Sequence, residues 1–269
     1  MDRRYISLLA LITLFVGLVS AEPIVIGGVP DKMSPPYHWV NPCTNVLEGG
    51  SIHLLRKSLE MEGYEVLVAP PIKTDANAWA EFDRQVATEK IHIMPTMYSP
   101  PLPGITISSS PLAWQKDSIV HRKGDTSITH DAADLDTYKG IMQHFKGRGT
   151  KHAVYKNLKA KGYDIEALET DTLAALQKII SKEADYLVID YYHALIIARQ
   201  HGIENQLNFG SWPRQDVAIH AGVKTHSKWE APLQAIDKHL AMFNSKGLTN
   251  KVMSSYLQRF IEQSTQCAK

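Results

Sequence analysis

The first part of the chain alternates short apolar runs with longer segments in which apolar residues recur every three or four positions. The predicted strands are 24–29, 64–69 and 91–94, and the predicted helices between them are 51–62 and 77–88. Ser51 is a typical helix start and Gly63 a typical helix end. Because strand and helix alternate, the pattern predicts a parallel sheet that is covered by helices.

A proline-rich stretch interrupts this pattern. Pro100, Pro101, Pro103 and Pro111 exclude a helix or a central strand there. Beyond it the alternation starts again, with predicted strands at 118–121, 141–145, 186–190 and 216–221 and predicted helices at 150–161, 171–182, 193–200, 230–244 and 249–264. The sequence therefore predicts two α/β units. Ligands of open α/β sheets bind outside the carboxyl ends of the strands, so we expect a cleft between the units.

The beginning of the chain has the pattern of a secretory leader. A charged segment, Asp2 to Arg4, precedes an apolar run at 5–19, and the small residues Ser20 and Ala21 follow. The run is shorter than the roughly 20 residues that span a bilayer. We expect a signal peptide at 1–21 that is cleaved before Glu22, and an exported protein. The alternative is an uncleaved membrane anchor.

Composition and charge narrow the classes of partner. The net charge is +1 and 21% of the residues are charged, which argues against a nucleic-acid partner and against a polybasic membrane-surface role. The two cysteines, Cys43 and Cys267, stand near the ends of the predicted mature chain, and in an oxidising compartment they can form a disulfide. Two unpaired thiols are the alternative, and the spacing of the cysteines does not fit a zinc site.

The order of motifs resembles the bacterial extracellular solute-binding protein family 3, the periplasmic components of polar amino-acid ABC transporters. The likeness covers nearly all of residues 22–269. The motifs that carry it are Gly28-Val29-Pro30-Asp31, Pro35-Pro36-Tyr37, Gly63 to Val66, Asp134-Leu135, Lys139-Gly140, Gly149-Thr150, Ala184 to Asp190, Gly247 to Lys251 and Tyr256 to Phe260.

This resemblance implies the type II periplasmic binding protein fold, in which two lobes, each a mostly parallel sheet flanked by helices, are joined by a hinge. Lobe I is expected at 22–117 and 215–269, and lobe II at 118–214. The implied function is capture of a small polar solute by hinge closure and its delivery to the membrane permease of an ABC transporter. The resemblance further implies a monomer in the periplasm that needs no cofactor.

Two departures from the family pattern leave the class of ligand open. The stretch Thr96 to Ser110 contains no arginine or lysine, although the family places there the arginine that binds the ligand carboxylate. The customary aspartate after the first strand is replaced near His53. An amino acid is therefore one candidate among other small amines, acids and peptides.

Candidate ligand-binding residues in the predicted lobe I follow strand ends. Tyr37 and Trp39 follow the first strand and can stack a planar group or hold a cation, or else pack beneath the loop. Thr96 and Tyr98 follow the third strand, and their hydroxyls can donate to a ligand oxygen or stabilise the proline loop.

Candidates in the predicted lobe II surround a loop and a buried strand. Arg148, Gly149 and Thr150 stand between a strand and a helix, where exposed N–H groups favour an anion, unless Thr150 only caps the helix. Asp190 ends a strand that is otherwise apolar, so its carboxylate must face a cleft or be paired. The family uses this position for the ligand ammonium, and the alternative is a helix cap. Tyr191 or Tyr192 can add a further contact.

Metal binding and catalysis have weaker support in the sequence than ligand binding has. The twelve histidines lack the spacing of a metal site, and no Gly-x-Ser-x-Gly motif occurs. A dehydratase-like enzyme of the same fold is the alternative of another class, and Asp190 with a nearby histidine would form its acid–base pair. A ligand-binding sensor module is the third hypothesis.

Overall fold

The structure is a computed structural model that describes residues 22–28, 33–72, 78–125, 127–128, 132–143, 155, 158–168, 171–211 and 217–267. Its strands are β1 Ile24–Ile26, β2 Met33–Ser34, β3 His38–Val40, β4 Leu47–Glu48, β5 Val66–Val68, β6 Met94–Tyr98, β7 Ile105–Ile107, β8 Ala113–Gln115, β9 Asp117–Arg122, β10 Gly140–Gln143, β11 Ile165–Leu168, β12 Tyr186–Asp190, β13 Leu207–Ser211 and β14 Val217–Lys224. Its helices are α1 Gly50–Met61, α2 Ala78–Ala87, α3 Thr172–Ile180, α4 Tyr191–Gln200, α5 Glu230–Ser245 and α6 Leu248–Gln266, with short 3-10 turns at Ala132–Thr137 and Glu204–Gln206.

The first body of the molecule, lobe I, contains the predicted βαβαβ unit. Strand β1 pairs in parallel with β5, and Ile26 bridges in parallel to Ile93, immediately before β6. Strand β14 returns to this body and pairs antiparallel with β6, β7 and β8. One apolar core includes Ile24 and Leu55 together with Ile219 and Ile236. Early and late parts of the chain therefore share a core, because neither part can bury its apolar face alone.

The second body, lobe II, is built on a five-stranded sheet with the order β11-β10-β12-β9-β13. Strands β10, β11 and β12 are parallel, and β9 runs antiparallel to both β12 and β13. All five strands lie within residues 117–211. The fold is thus the predicted two-lobe α/β architecture. The positions at which each lobe begins and ends stay a prediction.

A small antiparallel sheet, β2-β3-β4, lies between β1 and α1 in the chain. The loop after β3 carries Cys43, which forms a disulfide with Cys267 at the end of α6, with a Cα–Cα distance of 5.5 Å. The predicted pairing of the two cysteines is confirmed, and it attaches α6 to the small sheet. Within the described residues no helix is both long and apolar enough to cross a membrane.

Candidate functional site

A polar candidate residue of lobe II, Asp190, lies at one edge of the five-stranded sheet. The parallel strands β10, β11 and β12 all finish at this edge, and α4 starts there directly after β12. Asp190 is the last residue of β12 and is only 7% exposed. The alternation of apolar strand and helix thus places a buried carboxylate where α/β sheets bind ligands.

The carboxylate of Asp190 caps helix α4. Its Oδ1 accepts a hydrogen bond from the backbone N–H of His193 at 2.8 Å. A negative charge at this position is favoured by the positive end of the helix dipole and by the unpaired N–H groups of the first turn. The capping role that the sequence left open for Asp190 is therefore present.

A histidine lies in the same helical turn as Asp190. The Nε2 atom of His193 is 2.8 Å from the hydroxyl oxygen of Thr172, the first residue of α3. This contact joins the beginnings of α3 and α4 at the sheet edge. The acid and the histidine that an acid–base site would need are neighbours here, although Asp190 bonds the backbone of His193 and the imidazole bonds Thr172.

Aromatic rings connect this edge to lobe I. The ring of Tyr192 meets the ring of Tyr37 edge-on, with centroids 6.0 Å apart and planes at 82°. The ring of Tyr191 in turn contacts Tyr192 at 5.3 Å and Phe209 at 6.3 Å. The Tyr37 hydroxyl donates to the carbonyl oxygen of Trp114 at 3.0 Å, close to where the chain crosses between the lobes. The structure thus brings Tyr37 next to the Asp190 edge.

Trp39 has a packing role. It is 0% exposed, and its ring contacts Phe260 and Tyr256 with centroids 5.4 and 6.0 Å away. Its Nε1–H donates to Oε1 of Gln263 at 3.0 Å. All of these partners belong to α6, so the indole fills the space between the small sheet and this helix.

The threonine and tyrosine of β6 are embedded in lobe I. The hydroxyl of Thr96 lies 2.9 Å from Nδ1 of His38, and both side chains are buried. Tyr98 is half-buried and packs against the lobe I core. The predicted anion-binding loop, Arg148 to Thr150, lies outside the described residues, and its role stays a prediction.

Helix α1 carries the histidine that stands near the position of the family's aspartate. The ring of His53 contacts the ring of Tyr256 in α6, with centroids 5.4 Å apart. Desolvation by the surrounding protein lowers the pKa of His53 below its ordinary value, and it raises the pKa of the half-buried Tyr256 phenol. Elsewhere in the part of the chain that the structure describes, no three potential metal ligands converge.

Comparison with known proteins gives a likeness of fold without a likeness of sequence. No protein-family model and no curated protein matches the chain. Among solved structures, the second substrate-binding domain of a putative amino acid ABC transporter from Streptococcus pneumoniae has a TM-score of 0.64 and 14% identity, over 87% of this chain and 99% of that one.

Two further structures differ in what they do. A histidine kinase sensor domain with similarity to periplasmic binding proteins has a TM-score of 0.58 and 18% identity, over 88% of this chain and 97% of that one. An amino acid ABC transporter substrate-binding protein from Streptococcus pneumoniae, bound to L-arginine, has a TM-score of 0.56 and 19% identity, over 89% and 96%. Because the sequence identities are low, these comparisons establish the fold alone. This chain has the two-lobe fold of the periplasmic binding proteins.

Proposed function

We propose that this protein is an exported solute-binding protein that captures a small polar ligand, an amino acid or a related amine or acid, between its lobes. The observation that carries the proposal is the ring contact between Tyr37 of lobe I and Tyr192 of lobe II, which lies two residues after the buried Asp190. An acidic group of lobe II and aromatic groups of both lobes would then line one place, which suits a ligand with a cationic end.

The chemistry assigned to each residue follows from its position. The Asp190 carboxylate would bind a ligand ammonium in a charge-assisted hydrogen bond, while it keeps its bond to the α4 backbone. Tyr37 and Tyr191 would contact the body of the ligand, and the hydroxyls of Thr96 and Tyr98 would be acceptors or donors from lobe I. The loop Arg148-Gly149-Thr150 would bind an anionic group, since the lobe I loop 96–110 contains no lysine or arginine.

Closure of the lobes is the proposed mechanism of capture. The chain passes between the sheets through Lys116, between β8 and β9, and the backbone N–H of Tyr191 donates to the Lys116 carbonyl at 2.8 Å. The start of α4 is therefore attached to the crossing segment. A ligand that contacts both lobes favours the closed state, because only that state makes all the contacts.

The partner and location belong to the same proposal. The leader at 1–21 would direct a monomer to the periplasm, with lobe I at 22–117 and 215–269 and lobe II at 118–214. The permease of an ABC transporter would then recognise the closed, loaded form. A sensor module is the second candidate, because a histidine kinase sensor domain is among the structures with this fold.

A thermal-shift screen of the chain from Glu22 tests the binding proposal. The panel comprises amino acids, polyamines, organic acids and sugars. A ligand at 100-fold excess over its Kd stabilises the native state by about 2.7 kcal/mol. We expect a shift with one class of amine, and recovery of that ligand unchanged after incubation, which separates binding from turnover.

The matched variants are Asp190→Asn and Asp171→Asn. Both aspartates cap a lobe II helix with a 2.8 Å bond to a backbone N–H, but Asp171 is exposed and caps α3 instead of α4. Asparagine caps a helix equally well, so each variant changes charge and little else. The ligand shift should disappear only in Asp190→Asn. Equal shifts in both variants, or no shift with any compound for the native sequence, would contradict the proposal.

A further inference from the structure

Helix α4 contacts both lobes through opposite faces. Ala194 and Ala198 belong to the apolar core of its own lobe, and the partly buried Ile197 packs against that core. Tyr192 and Ile196, four residues apart and hence on one face of the helix, contact lobe I instead. We call these two residues the α4 stripe.

The lobe I side of this contact is apolar and closely packed. Ile196 forms a buried cluster with Trp39 and Phe260, and the three side chains are 3%, 0% and 1% exposed. Tyr192 packs against the lobe I core beside Tyr37. Both sides of this contact are side chains of the protein.

The disulfide holds the surface on which the stripe rests. Trp39 lies in β3 and Phe260 in α6, and Cys43 and Cys267 covalently join the loop after β3 to the end of α6. The bond from Trp39 to Gln263 joins the same two elements. Lobe I therefore presents a fixed surface to the stripe.

We infer that the α4 stripe is a ligand-independent latch that holds the two lobes together and sets the open–closed equilibrium of the empty protein. Separation of the lobes would expose Trp39, Ile196 and Phe260 to water, which is unfavourable. The stripe begins one residue after Tyr191, whose N–H is bonded to the crossing segment at Lys116. A rotation about that segment displaces Ile196, one turn further along the helix, from its pocket.

Ligand affinity follows from the same equilibrium. A ligand binds more tightly when the competent closed state is already populated, because less of its binding energy is used to close the lobes. The latch rests on the proposed movement of the lobes and not on a particular ligand, so its test on the ligand-free chain is separate from the identity of the ligand.

Small-angle X-ray scattering of the ligand-free chain from Glu22 tests the latch. A compact chain of this length has a radius of gyration of about 18 Å. Ile196→Ala should increase the radius of gyration relative to the native sequence. Ile197→Ala is the matched control, since it removes the same atoms from the same helix but on the face that packs within lobe II. Its radius should stay at the native value.

A second measurement and a milder variant distinguish lobe separation from a simple folding defect. Spin labels on Lys57→Cys and Gln177→Cys, both exposed and in different lobes, report the interlobe distance, which Ile196→Ala should lengthen or broaden. The milder Ile196→Val variant should shift it in the same direction by a smaller amount. Unchanged scattering and label distances in folded Ile196→Ala, or equal changes in Ile197→Ala, would overturn the inference.

Discussion

The imidazole of His92 lies flat on the indole of Trp229, with ring centroids 3.8 Å apart and planes at 15°. Its Nδ1 accepts the backbone N–H of Val25 at 3.0 Å, and its Nε2 contacts the carbonyl oxygen of Glu89 at 2.8 Å. An acceptor at Nδ1 and a donor at Nε2 are possible together only in the neutral ring. Burial lowers the pKa of His92, which favours the same neutral form.

Acid should therefore weaken the fold through His92. Its folded-state pKa lies below the unfolded value of about 6.5, so the unfolded chain binds the proton first, and stability decreases as the pH falls below that value. Protonation removes the bond from Val25 N–H, typically worth about 1 kcal/mol. Urea denaturation at pH 7.5 and pH 5 should show this loss, and His92→Gln should show less of it. The exposed His201→Gln is the control, and an unchanged pH dependence in His92→Gln would refute the assignment.

The disulfide should be a major source of stability. Replacing both Cys43 and Cys267 by serine is expected to lower the free energy of unfolding by about 2–5 kcal/mol, because the bond restricts the unfolded chain. Guanidinium denaturation measures the loss, and reduction of the native protein should reproduce it. A loss below about 1 kcal/mol would mean that the bond contributes little.

Trp39 should behave as a core residue. Trp39→Ala leaves a cavity beneath α6 and is expected to cost about 3–5 kcal/mol. Trp114→Ala, at a half-buried position of β8, is the comparison and should cost clearly less. Thermal or chemical denaturation of the two variants decides, and similar losses would contradict the packing role.

Gly140 lies directly against the ring of Tyr186 in the lobe II sheet. A Cβ added at residue 140 would overlap this ring, which is 0% exposed and cannot move aside. Gly140→Ala should therefore destabilise the protein by about 1–3 kcal/mol. The same change in a Tyr186→Leu background should cost much less, and a double-mutant cycle measures the difference. Additive costs would show that the two residues do not interact.

The sequence correctly predicted elements in which the pattern of apolar residues continues over several positions. Helix α3 was expected at 171–182 and is found at Thr172–Ile180, with Asp171 as its cap. Strand β12 was expected at 186–190 and occupies those residues. Helical and apolar patterns of this length depend mainly on local residues, and for this reason one sequence is sufficient to predict them.

Short strands were not predicted. The small sheet of β2, β3 and β4, with strands of two or three residues, has no periodic signal, and β13 is recognisable only through its pairing with the distant β9. At the site, Asp190 was expected at a strand end, and it is there. Of the two tyrosines that follow it, Tyr192 is the one whose ring meets Tyr37. Helix α4 starts at Tyr191, earlier than the predicted 193, and this start fixes the direction of each side chain.

The separate origins of the two cores imply an order of assembly. Every strand of the five-stranded sheet is available once residue 211 has been synthesised, so lobe II can form from one continuous stretch of chain. The core of lobe I joins Ile24 and Ile93 to Ile219, Leu240 and Met253, contacts that are distant in sequence and slow to form. A growing chain would therefore carry a folded lobe II between two unfinished halves of lobe I, and its exposed apolar strands would need protection from aggregation until residue 253 arrives.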